Sequence, residues 1–239
     1  AIPLNGACDP SRAAFDRCVD GAVCVGVGAS GSCVRAGYAV APSTERFIDA
    51  CAAPGATVLT MGPSLPSLPA TLPFAFSYFG VERPAGSVIT VGSGGWLRFG
   101  ATALRDAPPD ELPTLFLDDT VFALWTRSTL GLDTAAPGRL CLATTGAAPS
   151  RVFVVTWNGL TTWGDPSSSL RVELQLREGS RALDVLYRLS PTGASDPSLG
   201  ATIGLQGLGA TAVVQVCGGT GRTATPCTRA HLRDLRFSP

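Results

Sequence analysis

Few side chains in this chain are equipped for acid–base or nucleophilic chemistry. There is one histidine, His231, and all 18 cationic residues are arginine. Without lysine there can be no Schiff base, no phosphate-loop lysine and no lysine general base. One histidine excludes a multi-histidine metal site. His231 sits in the tail Arg229-Ala230-His231-Leu232-Arg233-Asp234-Leu235-Arg236, where the arginines disfavour a protonated imidazole. No Gly-x-Ser-x-Gly elbow accompanies it, so it reads as a surface histidine. Asp118 and Asp119 are the candidates for a hard cation, and calcium could take their carboxylates. Being adjacent, they face opposite sides of a strand, so a two-carboxylate hydrolase would need a further acid from elsewhere. The plain reading has one Asp accepting backbone hydrogen bonds in a turn and the other solvated.

The strongest ligand-site candidate is the segment holding Trp157, Asn158, Trp163 and Asp165. A loop tryptophan, Trp163, can stack on a sugar or an incoming side chain, with Asn158 and Asp165 as hydrogen-bond partners. The competing reading puts Trp157 in the core with Trp163 over one end of it. Trp96 and Trp125 lie in strand-like runs and read as core. Gly26-Val27-Gly28-Ala29-Ser30-Gly31 has the letters of the dinucleotide fingerprint, but that chemistry needs a preceding buried strand and a following helix. Cys24 and Cys33 bracket it instead, which favours a disulfide-flanked turn.

The elements that must position these residues are strands. With 28 Gly and 19 Pro in 239 residues, much of the chain is unsuited to helix interiors. At 45% hydrophobic and 15% charged residues the chain can bury one sizeable core. Zero net charge supplies no field for nucleic acid, and no apolar stretch is long enough to span a bilayer. Alternation is cleanest over Leu170–Arg177, where Leu170, Val172, Leu174 and Leu176 face one way. Arg171, Glu173, Gln175 and Arg177 face the other, and are expected to be wet. Leu183–Leu189 follows as its hairpin partner, the join at Gly179-Ser180 suiting a turn with positive φ at its first central residue. Further strands are expected over Phe74–Phe79, Val88–Val91, Trp96–Phe99, Val121–Trp125, Leu140–Thr144, Val152–Trp157, Ala201–Gln206 and Thr211–Cys217. About ten strands would pack as two sheets. The segment 42–69 is harder to read: Ser43–Cys51 suits a helical turn or a strand, and Pro63, Pro66 and Pro69 disrupt either. The predicted fold is all-β, a two-sheet antiparallel sandwich (39–239) behind a small disulfide-rich N-terminal module (1–38).

Eight cysteines set the compartment. Cys8, Cys18, Cys24 and Cys33 crowd the first 33 residues, a stretch too short to hold itself together by a core, so they read as a disulfide staple made in an oxidising environment. Their wide spacing is unlike a structural zinc site. Eight cysteines allow 105 pairings. Locality favours the first four pairing among themselves and Cys217 with Cys227, which leaves Cys51 with Cys141; a Cys141–Cys217 link is the alternative. Ala1 is read as the first residue of a mature secreted chain.

The succession of segments also carries a resemblance. Leu72-Pro73-Phe74-Ala75-Phe76-Ser77-Tyr78-Phe79-Gly80, Val91-Gly92-Ser93-Gly94-Gly95-Trp96-Leu97-Arg98-Phe99-Gly100 and Leu115-Phe116-Leu117-Asp118-Asp119 come first. Ala147–Trp157, the Leu170–Leu189 hairpin and Ala201–Gln206 follow. This order resembles a nidogen-like β-sandwich domain of secreted bacterial surface proteins over roughly residues 50 to 217. Gly94-Gly95 stands where the family commonly has Asn-Gly, and Leu117 where it has an aromatic. The resemblance implies an extracellular domain for adhesion, matrix or surface assembly, usually without catalysis. The expected function is therefore a secreted, non-enzymatic binding or assembly module, with no cofactor unless calcium. Its partner would be a surface protein, a glycan or a second copy. The alternatives are a lectin using the loop tryptophan and a hydrolase using acidic residues.

Overall fold

A computed structural model of the chain describes residues 2, 6–8, 22–27, 30–35, 37–60, 67–101, 112, 119–125, 138–162, 165–189, 200–207, 212–218 and 225–239. Among them the only helical pieces are 3-10 turns at Ala50–Ala52 and Arg229–His231. Three N-terminal strands, β1 (Ala7–Cys8), β2 (Ala22–Val27) and β3 (Ser30–Arg35), form a small sheet in the order β1-β3-β2. Cys24 lies opposite Cys33 across its hairpin, and Cys8 is disulfide-bonded.

The remaining strands are β4 (Ala39–Pro42), β5 (Thr57–Thr60), β6 (Ser67–Thr71), β7 (Phe76–Tyr78), β8 (Val81–Arg83), β9 (Val88–Gly92) and β10 (Trp96–Arg98). They continue as β11 (Thr120–Trp125), β12 (Arg139–Thr145), β13 (Val152–Thr162), β14 (Asp165–Arg177), β15 (Leu183–Leu189), β16 (Thr202–Gly207), β17 (Ala212–Cys217) and β18 (Leu235–Ser238). A seven-stranded sheet runs β4-β18-β15-β14-β13-β12-β5, and a six-stranded sheet runs β17-β16-β11-β10-β9-β6. With every described pair antiparallel, this is the expected two-sheet sandwich. The strands missed by pattern are short: β4 and β6 carry Pro42 and Pro69, and both are edge strands, where a missing N–H is tolerated.

Alternation explains the core. Leu140, Trp157, Val172 and Tyr187 stand in one cross-strand row and all face the second sheet, as do Leu142, Val155, Leu174 and Val185. Leu97, Val121, Ile203 and Leu205 answer from the six-stranded sheet. Two polar tips reach across: the Trp157 indole N–H donates to the Gly92 carbonyl at 2.7 Å, and the Tyr187 hydroxyl donates to the Ala123 carbonyl at 2.6 Å. Burial pushes the Tyr187 phenol up, so it stays a donor. Trp157 thus fills the core.

The hairpin appears where it was expected, with Leu183–Leu189 as its second strand. Its turn differs: Ser180 N–H donates to the Arg177 carbonyl, which places Gly179, at φ +72°, second of the two central residues. A larger correction concerns its outer side. Glu173 and Gln175 are fully buried, not wet. The chain between β4 and β5 lies over them as a strap, residues 43–56. Ile48 and Asp49 N–H groups donate to the two Glu173 carboxylate oxygens at 2.9 and 2.8 Å, and Gln175 donates to the Arg46 carbonyl at 2.7 Å. Beside them Ala50 packs on Cys141, Ala143 and Val154, and the Cys51–Cys141 disulfide ties strap to sheet. Cys217 is joined to Cys227. These are the two pairs that locality favoured.

Trp96 and Trp125 are buried as expected, but on the outer side of the six-stranded sheet. There they cluster with Phe122 and Leu112. Trp96 lies flat across its cross-strand partner Gly92, where a Cβ would meet the indole at 1.9 Å. Glycine is required there by close approach.

Candidate functional site

The structure breaks up the constellation expected around Trp163. Asn158 lies within β13, half-buried on the outer side of the seven-stranded sheet, because its neighbour Trp157 points inward. Asp165 opens β14 opposite Thr162 and is no loop residue. The run Asp165-Pro166-Ser167-Ser168 lacks apolar alternation, but β13 continues beside it and offers backbone partners. An irregular register between Thr161 and Thr162 absorbs the proline. Trp163 lies outside the described residues, as does Asp118. Asp119 is buried, and its carboxylate accepts from the Arg83 guanidinium. A calcium ion at this carboxylate would compete with that arginine.

His231 closes its 3-10 turn, its Nδ1 accepting from the Thr228 backbone N–H at 3.0 Å. That is a structural task. The Gly26–Gly31 stretch lies at a β-hairpin, Val27 opposite Ser30, with no helix N-terminus following it. The dinucleotide reading therefore fails on context.

Registration brings together residues that sequence spacing kept apart. Arg139, Asn158, Arg171 and Arg188 stand directly opposite one another across β12, β13, β14 and β15. The next two rows, Cys141-Thr156-Glu173-Leu186 and Ala143-Val154-Gln175-Asp184, are buried beneath or beside the strap. The arginine row lies at the strap's margin. Phe47 of the strap packs against the Arg171 and Arg188 guanidinium carbons, 5.5 and 5.3 Å from the ring centroid, and Asp49 stands 3.6 Å from Arg171. Arg188 is engaged by both oxygens of Asp234, at 2.9 and 3.0 Å. Two arginines directly opposite would repel, and the shared aromatic face and two carboxylates offset this. The sequence held no signal for this row, since its members come from four separate strands.

A second feature is a crevice of about 400 Å³ between the two sheets at the β5–β6 side, lined by Leu68, Pro69, Ala70, Leu142 and Phe153 among others. None of its lining side chains is ionisable, so it offers apolar contact and threonine hydroxyls but no acid–base pair. Among the described residues, no group of three or more His, Cys, Asp or Glu could hold a metal, and no helix is long and apolar enough to cross a membrane.

The class defined by this architecture is a disulfide-tied antiparallel sandwich whose open polar row lies on a sheet face. The family described as NIDO related matches residues 37–233, and the chain belongs to it. No curated protein and no solved structure matches the chain.

Proposed function

We propose that the chain is a secreted, non-enzymatic binding or assembly module working at a cell surface or in an extracellular matrix. Family membership over residues 37–233 carries this reading. The disulfides suit an oxidising compartment. The inter-sheet crevice has no ionisable lining, which fits contact better than catalysis. The partner on this reading is a surface protein, a glycan or a second copy, and calcium at Asp118 and Asp119 would be an accessory.

A binding screen of the oxidised chain against surface glycans and matrix proteins, with and without calcium, tests the reading alongside sedimentation velocity over a concentration series. Saturable capture of one component, or reversible self-association, is the expected result. A strictly monomeric chain that captures nothing in either condition would refute it, as would turnover of a glycan or ester substrate abolished by an acidic-residue substitution.

A further inference from the structure

We propose that the outer row Arg139-Asn158-Arg171 binds the acidic groups of a polysaccharide, carboxylate or sulfate. This deepens the binding-module reading and rests on it.

Three observations converge on these residues. They are direct cross-strand neighbours, so with strands about 4.8 Å apart the two arginine backbones stand roughly 10 Å from each other with the Asn158 amide between them. The row is uncovered where its neighbours are not: Arg139 and Arg171 are exposed, the Arg171 side chain at 45%, while the row beside it is sealed under the strap. Lastly, Arg139 and Asn158 have no hydrogen-bond or ion-pair partner among the described residues. Arg171 is held in place by Phe47 and shares its charge with Asp49 at 3.6 Å, short of a close hydrogen bond. Arg188, by contrast, is committed to Asp234.

The chemistry that completes such a row is an oxyanion. A guanidinium presents a planar fork matched to carboxylate or sulfate oxygens, and an amide both donates and accepts, as a sugar hydroxyl requires. At the bulge beside Asn158, Gly159 adopts φ +92° and faces Gly138, so no side chain walls off that flank. A polysaccharide suits the place better than an acidic peptide. Strands β12 to β15 are paired on both sides here, leaving no strand edge for a peptide backbone to extend, so recognition falls to pendant groups. Acidic groups repeated along a sugar chain could occupy Arg139 and Arg171 in turn, sharing Arg171 with Asp49.

The test is retention of the oxidised full chain on beads bearing polygalacturonate, dextran sulfate, neutral dextran or poly-glutamate. Retention on at least one acidic polysaccharide, weakened by salt, and none on neutral dextran is expected. Arg139→Gln with Arg171→Gln should cut affinity about tenfold or more, while Arg181→Gln with Arg233→Gln, an equal loss of charge elsewhere, should leave it unchanged. Should the double variant melt early, Arg139→Gln alone carries the test, since that side chain holds nothing in place. The proposal is overturned by no retention on either acidic polysaccharide, by loss equal to that of the charge-matched control, or by poly-glutamate bound as tightly through the same arginines. A chain that captures another surface component but ignores both acidic polysaccharides refutes this inference and leaves the binding-module reading standing.

Discussion

The two outer faces of the sandwich solve one problem in opposite ways. On the six-stranded sheet the outward residues Trp96, Phe122 and Trp125 are aromatic and pack on one another and on Leu112, with Phe122 and Trp125 stacked at 5.0 Å. On the seven-stranded sheet the outward residues Thr156, Glu173, Gln175 and Asp184 are polar and equally buried. The first face is closed by apolar area, which needs no directional partner. The second is closed by a strap whose backbone N–H groups meet a carboxylate, and each buried polar atom requires its own donor or acceptor. The polar face should therefore be the brittle one, sensitive to single atoms, while the aromatic face responds to volume.

The largest effect should come from untying the strap. Cys51→Ser with Cys141→Ser opens a link of sequence separation 90, and about 4 to 5 kcal/mol of stability should be lost in chemical denaturation. A loss under about 1 kcal/mol would mean that the Glu173 hydrogen bonds alone hold the strap. Next, Phe122→Ala should cost about 3 to 4 kcal/mol. Amide hydrogen exchange should then show loosening in β10 and β11 while strap amides stay protected; a loosened strap would show that the faces are coupled.

Smaller but sharper is Glu173→Gln, nearly isosteric. It sets an amide NH₂ against two backbone donors and should cost about 1 to 3 kcal/mol, with faster exchange confined to Ile48 and Asp49. Unchanged exchange there would refute the view that the carboxylate anchors the strap.

The subtlest test is pH, since the aromatic cluster does not titrate. Burial raises the Asp184 carboxyl, with the Ser43 hydrogen bond opposing. A raised folded value means its contribution is complete below the unfolded value near 3.8 and is lost as pH rises through the folded one. Glu178, at the β14–β15 turn, has the opposite sign: the hydrogen bond from Arg151 holds its carboxyl down to about 2, so that pair's contribution exists above 4.5 and disappears as pH falls toward 2. Urea midpoints between pH 2 and 7 should flatten on the acid side in Glu178→Gln. Asp184→Asn should remove a decline with rising pH, and Phe122→Ala should shift the curve without reshaping it. A reshaped curve in Phe122→Ala would contradict the separation of the two faces.

Much of the sandwich was legible because its physics is local. Leu170-Arg171-Val172-Glu173 alternates with period two, and a period of two is a strand whatever covers it. The pairing of Cys217 with Cys227 follows from short-loop closure. What could not be read was whether the second side of such a strand meets water. Glu173 looks like a solvated residue from its neighbours, and its burial depends on a strap more than 120 residues earlier. Asn158 was visible as a polar residue beside a tryptophan. Grouping it with Trp163 and Asp165 assumed a loop, where the backbone makes a strand pair that turns Asn158 toward Arg139 and Arg171.

By itself, the sequence determined that the chain is built of strands, that it suits an oxidising compartment and that it has no lysine chemistry, because composition, alternation and loop length act within a few residues. The tertiary structure decided which polar residues are sealed and which stand open. Both outcomes depend on register between strands and on a segment crossing a sheet face. The fate of the outer rows is the clearest case: chemically similar side chains lie on adjacent rows, and the strap's position alone separates the buried Glu173 row from the open arginine row.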